Sequence, residues 1–376
     1  MVLASNAEGL RLADVLSSCL AAVQGGDNPL GLAPVRKAAV LIVDGLGAHN
    51  LRQRSGHARW LTQQWARKNN MVADSGYPST TASALTTLTT GELAGVHGIV
   101  GYTVLDPQSK KLINHLKDWA PVVDPETWQR HPTLFEKAAQ QSIPSLALGE
   151  QRFAGSDFTK AVWRGAQFVG VRGLVPQGEL MREFFDSHDQ ALAYLYWPAL
   201  DRTGHSQGVE SDAWTHRLEE LDQGLEEISR FLKPDEGLVI TADHGMVDVP
   251  DANKIMAQEG SPLLAGVSAW GGEPRVPQLY LNDAGALADL MGAWTEALAG
   301  RGRVVTREQI MDEAWLGPIS KDVALRVGDL SVVCEGPIAA YDTTTASPAS
   351  QAMLGQHGSL TPQEREIPLI LAGAFA

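Results

Sequence analysis

The sequence is poor in what several common classes of protein depend on. It holds two cysteines, Cys19 and Cys334, too few for a disulfide framework, and neither stands in a CxxC or zinc-finger spacing. Both are expected to be ordinary buried thiols. Basic residues are outnumbered, with 30 Lys and Arg against 44 Asp and Glu and a formal net charge of −14. An acidic surface repels phosphate backbones and anionic lipid, so neither a nucleic-acid polymer nor a membrane is expected as a partner. No apolar run reaches the roughly 18 residues that a membrane-spanning helix needs. The opening stretch MVLASNAEGLRLADVLSSCLAAVQGG lacks the basic start and clean apolar core of a secretory signal, which makes the cytoplasm the expected compartment. There is no internal repeat either, and nothing in the sequence speaks to oligomeric state.

What is present is a chain of 376 residues, 44% hydrophobic, enough for one large domain with a sizeable core. Short Val/Ile/Leu runs end at polar turns: Ala38 to Val43 before Asp44, the run ALAYLYW before Pro198, Leu238 to Ala242 before Asp243, and EIPLILAG near the C-terminus. Continuous apolar runs without alternation are what a parallel sheet covered on both faces requires. Between the second and third runs, Leu218, Leu221, Leu225, Ile228 and Leu232 recur at helical spacing. Ser211 is placed to cap that helix and Lys233-Pro234 to close it. The fold class expected is α/β, a mostly parallel sheet with helices on both faces, in a single domain over 1–376. Two Gly- and Pro-rich stretches, about 105–190 and 250–345, fit the alternation less well. They are expected as insertions at the edge of the sheet that shape a substrate cleft, and DTTTASPAS at 342–350 as a loop.

Three of these runs lead into an aspartate: Asp44, Asp201 and Asp243. In an open α/β sheet the carboxyl ends of the strands line the ligand crevice, where clustered carboxylates repel one another unless a cation sits between them. Histidines accompany them. His205 follows Asp201 by four residues, His244 follows Asp243 directly, and His357 stands in GQHGSLTP. Each piece alone has an ordinary explanation as a turn or cap, but together they form a set of Asp oxygens and His nitrogens without thiolate. That set suits a hydrolytic zinc site, or one of manganese or iron. Three carboxylates carry about three negative charges and two divalent ions about four positive ones, leaving a site that attracts a phosphate anion. Two ions therefore fit better than one.

The segment GYPSTTASALTTLTTG, 76–91, turns at Pro78-Ser79 and starts a helix around Thr81 or Ala82. Its first turn offers free backbone N–H groups to an anion, and a threonine there is placed to act as a nucleophile. Thr86, Thr87, Thr89 and Thr90 are expected in backbone and packing roles. Tyr102, Tyr196 and Trp197 could stack on a base, but core packing is the simpler reading.

Taken in order, Asp44-Gly45, the segment from Pro78 to Gly91 with His97-Gly98 after it, Asp201…Gly204-His205, Asp243-His244-Gly245 and His357-Gly358 resemble the motifs of the alkaline phosphatase superfamily. The nearest branch is the nucleotide pyrophosphatase/phosphodiesterases, also called type I phosphodiesterases. The resemblance implies a two-zinc site and a covalent phospho-threonine intermediate. Counting back ten residues from Gly91 selects Thr81 as the nucleophile. By the same carry-over one ion is held by Asp44, Thr81, Asp243 and His244, the other by Asp201, His205 and His357, while His97 is a structural turn residue. The resemblance also directs attention to the third residue past the nucleophile for a phosphate-binding amide. This chain has Ala84 there, which leaves the expected site short of a donor. The expected activity is hydrolysis of a phosphodiester or nucleotide pyrophosphate bond in a small phosphate ester, nucleotide derivatives among the candidates. A phosphomutase or phospho-group transferase, and a metal-binding protein without catalysis, stand as alternatives.

Overall fold

The computed structural model describes residues 9–117 and 119–376. Residues 1–8, part of the opening stretch read above for a signal, lie outside them. In chain order the principal strands are β1 (Lys37–Val43), β2 (Ser145–Gly149), β3 (Gln167–Gly170), β4 (Ala191–Trp197), β5 (Glu236–Thr241), β6 (Val267–Glu273), β7 (Val276–Leu281), β8 (Gly302–Thr306), β9 (Leu330–Cys334) and β10 (Ile370–Gly373). The principal helices are α1 (Ala13–Gln24), α2 (Thr81–Thr90), α3 (Leu174–Asp186), α4 (Ala199–Gln207), α5 (Asp212–Ser229), α6 (Leu287–Leu298) and the single turn α7 (Pro362–Arg365).

A six-stranded sheet runs in the order β10-β5-β1-β4-β2-β3. Its pairings are parallel except for β10, which runs antiparallel to β5 at the edge. Consecutive residues of β4 and β5 are all buried, so both faces of the sheet are covered, as the unbroken apolar runs require. The fold class is thus the expected α/β one. The crossover from β4 to β5 passes through α4 and α5. Ser211 caps α5 by accepting the Trp214 N–H, and Leu218, Leu221, Leu225 and Ile228 are buried. The helix ends at Ser229, before Leu232.

The C-terminal run is split rather than continuous. Glu366–Pro368 pairs with Val72–Asp74, and only Ile370–Gly373 joins the large sheet. The stretch 105–190, expected as an insertion at the edge of the sheet, supplies the two strands at that edge, β2 and β3. Their sequences, SLALG and QFVG, are short, and β3 is a half-exposed edge strand that needs little apolar surface, so the run of Val/Ile/Leu that marks a central strand is missing.

Within 250–345 a second, antiparallel sheet forms in the order β6-β7-β9-β8. Its faces alternate with the pleat. Leu330, Val332 and Cys334 pack with Trp294 and Leu298 of α6, whereas Val333 joins the main core with Val276 and Val305. The second sheet is thereby anchored to the first through one face. The tract 342–350 leaves a short strand at Asp342 and enters a helical turn at Pro348–Gln351. No helix among the described residues is long and apolar enough to cross a membrane.

Candidate metal centre

Three adjacent strands, β5, β1 and β4, bring the acidic residues to one level. Val43 is in register with Trp197 and Ile42 with Thr241, so the chain leaves all three strands at the same edge of the sheet. Asp44 follows β1, Asp243 and His244 follow β5, and Pro198 turns β4 into α4. One turn of α4 then sets Asp201 and His205 side by side, with Nε2 of His205 3.2 Å from Oδ1 of Asp201. Gly45 makes the approach possible. Its φ is 78°, and a Cβ there would sit 3.0 Å from the Cα of Asp201, so a larger residue would push the two loops apart. Its N–H donates to Oδ1 of Asp243 at 3.2 Å.

The segment 76–91 reaches the same place. Thr81 opens α2, whose residues are buried throughout, and its hydroxyl lies 3.2 Å from Nε2 of His244. The other threonines are satisfied locally. Thr86, Thr89 and Thr90 donate back to the carbonyls of Ala82, Leu85 and Thr86, and Thr87 meets His97. Hydroxyls that bond within their own helix let it sit in the core without stranded polar groups. His97 is buried, with Nδ1 accepting the Ile99 N–H, as befits a structural turn residue. His357 arrives from the C-terminal segment, its ring stacked on that of His244 at 3.6 Å between centroids. All seven predicted residues therefore converge. Asp44, Thr81, Asp201, His205 and His357 line a cavity of about 1030 Å³, and Asp243 and His244 lie fully buried beneath it.

The chemistry of these donors is that of a cation site. Oδ1 of Asp44, Oδ1 of Asp201 and Oδ2 of Asp243 are buried and have no hydrogen-bond partner among the described residues. The three histidines turn Nδ1 to a backbone carbonyl: His205 to Gly355 at 2.7 Å, His357 to Ser79 at 3.0 Å and His244 to Gly245 at 3.2 Å. A carbonyl only accepts, so in the neutral ring the proton is on Nδ1 and the Nε2 lone pair is free. Those lone pairs face the orphaned oxygens, His244 at 3.4 Å from Asp44 and 3.5 Å from Asp243, and His357 at 3.8 Å from Asp201. Lone pairs opposed at such distances repel unless a cation lies between them.

The protonation tendencies agree. Burial, then the charges of Asp201 and Asp243, pushes Asp44 well above the usual carboxylate range. Burial, partly offset by His244, raises Asp243. Burial, then His244 and His205, holds His357 well below the usual imidazole range. The donor atoms gather in two overlapping groups, Asp44-Asp243-His244 and Asp201-His244-His357. The first matches one expected ligand set without its threonine. The second draws His244 towards the other set, with His205 just outside.

Some features were not foreseen. The Tyr196 hydroxyl donates to Oδ2 of Asp44, and Tyr196, Tyr102, Phe153, Phe158 and Trp163 give the cavity an aromatic wall. Tyr196 and Tyr102 are thus at the cavity as well as packed. Glu273, at the end of β6, also lines it. In the sequence it stands in GGEPR, a hairpin turn where an acid signals nothing. Ala84 is 1% exposed within the main core and does not line the cavity.

A sequence model of the family described as type I phosphodiesterase / nucleotide pyrophosphatase matches residues 38–360. Among solved structures, murine ectonucleotide pyrophosphatase / phosphodiesterase 5 shares the fold with a TM-score of 0.68 at 18% identity, covering 89% of this chain and 87% of that one. The human protein gives 0.68 at 17% identity over 90% and 88%. An inactive form of the murine protein in complex with AMP gives 0.68 at 18% over 90% and 88%. Among curated proteins, GPI ethanolamine phosphate transferase 1 of Chaetomium globosum is 33% identical over 104 residues, and that of Gibberella zeae 32% over 99. Each match covers 24% of this chain, which spans 10% of the length of those relatives.

Proposed function

The chain belongs to the type I phosphodiesterase / nucleotide pyrophosphatase family, and on that premise we propose that it hydrolyses a phosphodiester or nucleotide pyrophosphate bond through a phospho-threonine formed on Thr81. The observation that carries this reading is the set of three buried carboxylate oxygens, unpartnered among the described residues, facing imidazole Nε2 atoms beside one threonine hydroxyl. Asp44, Asp243 and His244, with Thr81, would hold one divalent ion, and Asp201, His205 and His357 the other; zinc suits Asp oxygens with His nitrogens, as do manganese and iron. When bound, such ions lower the pKa of a coordinated hydroxyl and offset charge on phosphoryl oxygens.

The chain's own residues do the rest. The start of α2 turns backbone N–H groups towards an anion next to Thr81. Oγ1 of Thr81 attacks phosphorus, its proton passing to the leaving oxygen, and the bond to that oxygen breaks as the Thr81–phosphorus bond forms. A water then attacks the same phosphorus, the Oγ1–phosphorus bond breaks, and the threonine hydroxyl is restored. The aromatic wall suits a flat leaving group such as a nucleobase, in keeping with AMP in one structural neighbour. A diester is favoured over a monoester because the arginines lining the cavity among the described residues, Arg152 and Arg202, are both paired with Glu150. Transfer of the phospho group to an organic acceptor is the second reading, supported by the local likeness to the ethanolamine phosphate transferases. A metal-binding role without catalysis gives no reason for a hydroxyl at the helix start.

The test is an assay against bis-aryl phosphates, dinucleotides and nucleotide sugars, with and without chelation, alongside elemental analysis. Thr81→Ala is expected to lower turnover by at least about 10³-fold while bound metal is largely retained. Full activity in that variant would refute the nucleophile assignment. Isotope from labelled water in the product separates hydrolysis from transfer.

A further inference from the structure

We propose that Glu273 is a further substrate-binding residue of this site, its carboxyl O–H donating a hydrogen bond to a non-bridging oxygen of the phosphate held beside Thr81. Glu273 ends β6 in the second sheet, and it lines the cavity together with Thr80, Thr81 and His357. It is held in place from two sides. Oε1 accepts the Tyr102 N–H at 2.7 Å, and the turn after His357 packs on its stem, since a Cβ on Gly358 would lie 3.1 Å from the Glu273 Cβ. The second oxygen, Oε2, is buried and has no hydrogen-bond partner among the described residues, although the side chain is 3% exposed. An unpaired buried carboxyl oxygen is costly, and a fold that keeps one on a cavity wall gains from it only when a ligand supplies the partner.

The form that makes such a bond is the neutral acid, because an ionised carboxylate would repel phosphate. Burial, partly offset by the Tyr102 N–H and the nearby Thr80 hydroxyl, pushes the carboxyl up to about 8. The phenols of Tyr77 and Tyr280, on which Glu273 acts, are themselves raised by burial and stay neutral at pH 7. Arg275, two residues on, is committed to Glu364. Among the described residues no cationic side chain pairs with Glu273. A donor to a phosphoryl oxygen in a closed site is worth about 10² to 10³ in rate.

The inference rests on the phosphodiesterase reading. Its test measures kcat and KM for a bis-aryl phosphate from pH 6 to 9.5 with the zinc-loaded full chain, in wild type, Glu273→Gln and Glu273→Leu. The wild type is expected to lose kcat/KM on the alkaline side as the donor ionises. Glu273→Gln keeps an N–H donor and the volume, so it should stay within about tenfold of wild type at pH 7 and lack that alkaline loss. Glu273→Leu should fall about 10²-fold at pH 7 with metal content and melting temperature retained. Equal activity of the Leu variant and wild type, or an unchanged alkaline limb in the Gln variant, would overturn the assignment. The second comparison decides even where the Leu variant does not fold. If the wild type is inert towards every diester, the phosphodiesterase reading falls and this inference with it. If the wild type turns over and the variants do not differ, the inference fails alone.

Discussion

Tyr196 acts at the end of β4 both as a wall of the cavity and as a partner for Asp44. Its phenol, kept protonated by burial and the nearby acids, donates to Oδ2 of Asp44 and leaves Oδ1 as the single free oxygen of that carboxylate. A donor that fixes one oxygen orients the other, which is how outer hydrogen bonds tune a metal ligand. Tyr196→Phe removes the hydroxyl and keeps the ring, so the cavity wall should survive. Affinity for the divalent ion should fall about 10- to 100-fold, as read by competition with a chromophoric chelator. An unchanged affinity would mean that Asp44 is oriented by its backbone alone. Serial order served this scale well. Asp44, Asp201, His205, Asp243, His244 and His357 were legible because each stands at a strand end or a glycine turn. For Tyr196 stacking or core packing was foreseen but not the bond to Asp44, because Tyr194 and Tyr196 share one face of β4 and only the position of Tyr196 nearer the strand end brings its hydroxyl to an acid.

Between elements, the single turn α7 ties together the loops that carry His244 and His357. The Glu364 carbonyl accepts the Gly245 N–H at 2.8 Å, next to His244. Oε1 of its side chain accepts the Ser359 N–H at 3.0 Å, two residues past His357. The same carboxylate is paired with Arg275, a fully buried guanidinium, through contacts of 3.0 and 2.7 Å. Removing one member of such a pair strands the other in the interior, so Glu364→Gln is expected to lower stability by about 3–5 kcal/mol, measured by urea denaturation of the metal-loaded protein. An unmoved midpoint would show that the remaining carbonyl bonds of Arg275 suffice. Legibility drops here for a physical reason. The turn GGEPRVP joins β6 to β7 and reads as an exposed hairpin, yet Glu273 and Arg275 are both buried, because Gly358 packs on them and Glu364 with the Gly336 and Ile338 carbonyls takes up the guanidinium. Hydrophobic periodicity reports which face of an element is covered. It carries no information on a charged turn that the packing of distant segments closes over. The same limit hid β2 and β3, short runs that find partners in sequence along the sheet, β2 on the edge of β4 and β3 on the edge of β2.

At the scale of the molecule, the second sheet is joined to the first across the stretch that follows α2, and two neutral histidines lie in that joint. Gln278 of β7 donates to the Val100 carbonyl and Arg326 to that of Gly98. His97 accepts the Ile99 N–H on Nδ1 and meets the Thr87 hydroxyl with Nε2. His115 faces the Gly101 carbonyl with Nδ1 and accepts the Trp128 indole N–H on Nε2. Each ring thus needs one bare nitrogen, and a second proton would break a bond and bury a charge. Burial, then neighbouring His131, His115 and Arg326, depresses His97 to about 3, and burial, reinforced by Arg326, takes His115 to about 4. In the unfolded chain both titrate near 6.5. Below that value the unfolded state binds the protons first, so stability present above pH 6.5 is lost as pH falls towards 4. Each histidine contributes about 1.4 kcal/mol per pH unit within that window. Denaturation midpoints between pH 7 and 4.5 should therefore fall, and His97→Gln should show a slope shallower by about one proton than the wild type. A variant slope equal to that of the wild type would mean that His97 already carries its proton in the folded protein, and that the joint between the sheets accommodates a charge.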